Sequence, residues 1–78
     1  MEPDDEIVFG RALDETRQCA ERIDSLRGSA LAMDLAEFEL HGTTLQWLAK
    51  WYPDEPRVRR AVLEWNLEDL RLEAIRQE

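Results

Sequence analysis

The chain has one cysteine, one histidine, one lysine, three prolines and three glycines in 78 residues. Each scarcity excludes something. With Cys19 alone, no intramolecular disulfide forms and no cysteine-rich zinc site can be assembled. A lone thiol fits a reducing compartment better than a secreted scaffold. A Cys19 nucleophile would need a nearby base, and the only histidine lies on another helix; no phosphate loop, dinucleotide fingerprint, zinc-protease motif or nucleophile elbow occurs. No apolar run approaches the ~18 residues of a membrane span. Glu2, Asp4, Asp5 and Glu6 make the start acidic, where a signal peptide is basic. The expected location is therefore the cytoplasm. Positive charge is also short: 10 Lys plus Arg face 18 Asp plus Glu, leaving −8. Such a surface repels a phosphate backbone, so neither direct nucleic-acid binding nor an anionic membrane is expected.

What remains is a helical, heavily charged chain: 44% hydrophobic and 36% charged. A domain this small buries only ~60% of the surface its unfolded chain exposes, so a staple from outside is expected. With disulfides and a cysteine-built zinc site excluded, the staple most easily left is another protein chain.

The periodicity predicts three helices and no strand. Phe9, Ala12, Thr16, Cys19, Ile23 and Leu26 alternate spacings of three and four, the seam of a helix running from about Ile7 to Arg27. Leu13 and Ala20 widen it, and Gly28 suits its end. Residues 1–6 are expected to fray. The second helix should run from near Ser29 toward Tyr52. Gly42 with Thr43-Thr44 reads as a stop and restart, because Thr43 and Gln46 have capping-box spacing; a break and a continuous helix are both open. Pro53 ends this helix, and the third should begin at Asp54, Glu55 or Pro56. The fold class is an all-α, three-helix antiparallel bundle in one domain, with a fourth helix if Gly42 breaks the second.

Helices two and three carry more apolar surface than one core needs. At ~100° per residue, Val58, Ala61, Val62, Trp65 and Leu72 share one face, while Leu63, Leu67, Leu70 and Ala74 take nearly the opposite one. Helix two repeats this: Leu31, Leu35, Phe38, Leu45 and Tyr52 form one stripe, Met33, Ala36, Leu40, Trp47 and Trp51 another. Either one helix is central and touches neighbours on both sides, or a second chain covers one stripe, most simply in a homodimer. The candidate partner-binding residues are Trp47, Trp51, Leu63, Leu67 and Leu70.

Other residues have ordinary readings. Cys19 is a small core residue. Glu37 and His41 are four apart, where helical di-iron sites use a spacing of three; His41 is expected at a helix end, favoured by the C-terminal dipole. Arg57, Arg59 and Arg60 offer an anion site, but pairing of Arg59 with Glu55 and Arg60 with Glu64 accounts for two of them. No metal or cofactor is expected. The functional expectation is a non-catalytic protein-interaction module serving as regulator, inhibitor or assembly factor. Two alternatives are an acidic mimic of nucleic acid, of the kind phages encode as inhibitors, and a small helical enzyme with an interhelical site built from Arg11, Glu37, His41, Lys50 and Arg57.

Overall fold

Helix α1 spans Pro3–Leu26, α2 Leu31–Trp51 and α3 Pro56–Arg76 in a computed structural model that describes residues 1–26 and 31–76. Those described residues form an all-α three-helix bundle. At ~1.5 Å per residue, the 24 residues of α1 account for most of the 39 Å long axis. The expected helix end at Arg27 and Gly28 and start at Ser29 lie outside the described residues, as does the placement of the Leu31 side chain.

Side-chain pairings give the helix directions. Between α1 and α2, Arg22 meets Asp34 and Glu37, while Tyr52 meets Asp5. One number rises as the other falls, so these helices are antiparallel. Between α1 and α3, Glu6 meets Arg57, Arg17 meets Glu64 and Asp24 meets Arg71. Here both numbers rise together, so α1 and α3 run parallel, each antiparallel to α2.

The core takes one face from each helix. Phe9, Ala12, Thr16, Cys19, Ala20 and Ile23 of α1 are buried, matching the expected seam except at Leu26, which is exposed near the helix end. Phe38, Leu45 and Leu48 come from α2, and Val58, Ala61, Trp65, Leu72 and Ile75 from α3. Phe38 and Trp65 stack with centroids 5.0 Å apart. The indole Nε1 of Trp65 donates to the Phe38 carbonyl at 2.8 Å, so this buried N–H has a partner. The Thr16 hydroxyl, also fully buried, finds none among the described residues.

Two expectations need correction. The first helix starts at Pro3 rather than near Ile7, so residues 3–6 belong to α1. Proline suits a first helical turn, and Asp4, Asp5 and Glu6 favour its positive end. The segment is also held from outside: Tyr52 donates to the Asp5 carboxylate, the Glu2 N–H donates to Tyr52, and Arg57 clasps Glu6. Second, α2 does not break at Gly42. Thr43 caps nothing; its hydroxyl donates to the Glu39 carbonyl at 3.0 Å, and that of Thr44 to Leu40 at 3.2 Å. Gly42 is there for close approach. A Cβ at this position would stand 2.1 Å from Cε2 of Trp65, so only glycine lets the indole lie against the α2 backbone.

Candidate functional site

With Phe38, Gly42 and Leu45 turned inward, helical geometry sends Met33, Ala36, Leu40, Trp47 and Trp51 to the opposite side of α2. On α3, Val58, Ala61, Trp65 and Leu72 turn inward and Leu63, Leu67 and Leu70 turn out. The five residues singled out from sequence, Trp47, Trp51, Leu63, Leu67 and Leu70, are 55–71% exposed. Met33 and Leu40 are exposed with them. The bundle therefore covers one stripe per helix and leaves the other uncovered; α2 is not sandwiched on both faces. The two uncovered stripes occupy different helices, each opposite its own core face.

The α2 stripe is edged by a cation. Lys50 Nζ sits 5.4 Å from the Trp47 ring centroid, within cation–π range. Sequence reading missed Ile7 and Val8, which are exposed on α1. They line a shallow cleft with Arg11, Ala12, Leu40, His41 and Thr44, extending apolar surface from α2 onto α1. Their signal was present: neither falls on the Phe9–Ile23 seam.

Arg17, Arg22, Arg57 and Arg71 hold helices together. Arg57 pairs with Glu6 at 2.6 Å and Glu55 at 3.0 Å. Hydrogen bonding from its guanidinium holds both carboxyls below the usual range. The pairings expected for Arg59 and Arg60 do not form, because Glu55 takes Arg57 and Glu64 takes Arg17 at 2.8 Å. Glu37 accepts from Arg22 at 3.1 Å rather than meeting His41. His41 sits in the middle of α2, not at a helix end, since the helix runs on to Trp51. Cys19 is fully buried in the core. Burial pushes its thiol pKa up, against the opposing pull of the nearby Arg22, so the reactive thiolate is disfavoured.

Among the described residues, no three His, Cys, Asp or Glu come together to hold a metal ion. No helix there is long and apolar enough to cross a membrane. Comparison with protein families, with curated proteins and with solved structures finds no match for this chain.

Proposed function

We propose that this protein is a non-catalytic interaction module that acts by binding another protein, as a regulator, inhibitor or assembly factor. The observation that carries the reading is the pair of outward stripes, Met33, Leu40, Trp47 and Trp51 on α2 and Leu63, Leu67 and Leu70 on α3. Scattered exposed apolar residues are ordinary, but contiguous rows of large ones are uncommon on monomers. Tryptophan adds weight, since it is enriched among the anchors that dominate binding energy. The ion pairs support the same reading from the other side. Arg17, Arg22, Arg57 and Arg71 face carboxylates across helix seams, so these charges join helices.

A photoreactive residue placed at position 67, in the cell that makes the protein, tests this. It should crosslink to one distinct polypeptide, and excess unlabelled chain should compete the product away. The same probe at Asn66, which is exposed on the polar flank of α3, supplies the background. Leu63→Glu or Leu70→Glu should then weaken capture about tenfold or more, as loss of a buried anchor does. A probe at position 67 that gives no more product than one at position 66 would overturn the reading.

A further inference from the structure

The outer face of α2 is graded in size and charge along its length. Its N-terminal half presents Met33 and Ala36, its C-terminal half Trp47 and Trp51, with Leu40 between. Of the acidic residues in 31–40, Asp34 and Glu37 turn toward Arg22 of α1, while Glu39 flanks the outer face; in residues 41–51 Lys50 is the one Lys, Arg, Asp or Glu. A surface small and acidic at one end, bulky and cationic at the other, complements itself when turned end for end. Resting on the reading above, we infer that a second copy of this chain packs its own α2 antiparallel across this face, about a two-fold axis between Thr43 and Thr44.

One register satisfies every pairing. Leu40 and Trp47 are equidistant from the midpoint between Thr43 and Thr44, and so are Ala36 and Trp51. Antiparallel pairing about that point lays Trp47 of each copy on Leu40 of the other, and Trp51 over the small Ala36. In a two-fold helix pair, like flanks meet. Glu39 and Lys50 share a flank, about 20° apart around the helix at ~100° per residue. In this register Lys50 comes within two residues, roughly 3 Å along the axis, of Glu39 in the other copy. The centre can be buried as well. The Thr43 and Thr44 hydroxyls already donate to their own helix, so covering them strands no donor.

The tryptophans supply a large share of the surface a dimer needs. Trp47 and Trp51 are 55% and 71% exposed; at ~150–250 Å² per aromatic side chain, four indoles across the axis offer roughly 400–600 Å², a third to a half of the ~1,200 Å² of a small stable interface. Met33 and Leu40 add to it. The α3 stripe has no such grading, since Leu63, Leu67 and Leu70 are alike and specify no register.

Sedimentation equilibrium of the full chain, from micromolar to near-millimolar, is the test. The mass should rise toward twice 9.2 kDa. Trp51→Ala should weaken dimerisation about tenfold, and Ala36→Trp at least as much by overfilling the same contact. The decisive set is the charge swap. Glu39→Lys and Lys50→Glu should each weaken the dimer about three- to tenfold, and the double variant should return it to within about twofold of the original. Circular dichroism should show all variants equally helical. A 9.2 kDa species at every concentration would overturn the proposal, leaving the crosslink from position 67 to be judged separately. So would a double variant no better than the single ones, or a dimer lost through Leu63→Gln and Leu67→Gln but indifferent to Trp51→Ala.

Discussion

Gly10 and Gly42 both lie inside helices, and by intrinsic propensity both are weak points. Around Gly10, a Cβ would meet nothing within 4 Å; at Gly42, it would enter the indole of Trp65. The first glycine is a place where α1 gives up stability without a packing return. The second is the reason α2 and α3 can approach at all. A residue type thus says that a backbone is unencumbered, and only the neighbouring element says what that freedom is for.

The contrast is breakable by mutation. Gly42→Ala should cost about 2 kcal/mol or more, because the indole must leave its slot, disturbing both the Phe38 stack and the Nε1 hydrogen bond. Urea unfolding at fixed protein concentration reads this, and an unchanged midpoint would mean that the indole has room to move. A double-mutant cycle sharpens it. In a Trp65→Leu background, the added methyl group has no ring to strike, so the Gly42→Ala penalty should shrink by about 1–3 kcal/mol. At the other glycine the sign reverses: Gly10→Ala should raise stability by about 0.5–1 kcal/mol, seen as a higher melting temperature. A loss there would reveal a contact that the open space around Gly10 does not predict.

The smallest effect concerns the segment just before Gly10. Glu6 and Glu55 have folded-state pKa values lowered by Arg57. Their contribution is therefore present above the unfolded carboxyl value of ~4.3 and disappears as pH falls through the lower folded value. Arg57→Ala should lower the melting temperature by no more than a few degrees near neutrality, since exposed pairs contribute little. The gap between the two proteins should close toward pH 3. A gap that persists in acid would point to lost packing of Arg57 over Phe9, which lies 5.8 Å from it.

Much of this architecture is legible in the sequence because periodicity is a local property. The α1 seam, the inward face of α3 and the burial of Cys19 and Trp65 all follow from spacing and side-chain volume. So does the second row of apolar residues on α2 and α3, because a helix with apolar residues on opposite sides presents both wherever it packs. Three features were not legible, each for want of a partner. Gly42 and Thr43 resemble a helix stop until Trp65 is set against them. Arg57, Arg59 and Arg60 resemble one cluster, yet Glu55 and Glu6 choose Arg57 because α1 runs parallel to α3 and brings Glu6 alongside. The acidic start resembles a frayed end until Tyr52 arrives from the far end of α2.

The unequal seams of the bundle set its order of opening. Where α3 meets α2, a stacked and hydrogen-bonded indole fills the junction. Where it meets α1, three arginine–carboxylate pairs span the surface: Arg57–Glu6, Arg17–Glu64 and Arg71–Asp24. Guanidinium pairs in water yield to salt, whereas buried rings do not. Amide exchange should therefore be hierarchical, with α3 the first helix to lose protection and added salt widening its lead over α1 and α2. The helix with one of its two seams spanned by charge is then the cooperative unit nearest to release, and Leu63, Leu67 and Leu70 ride on it.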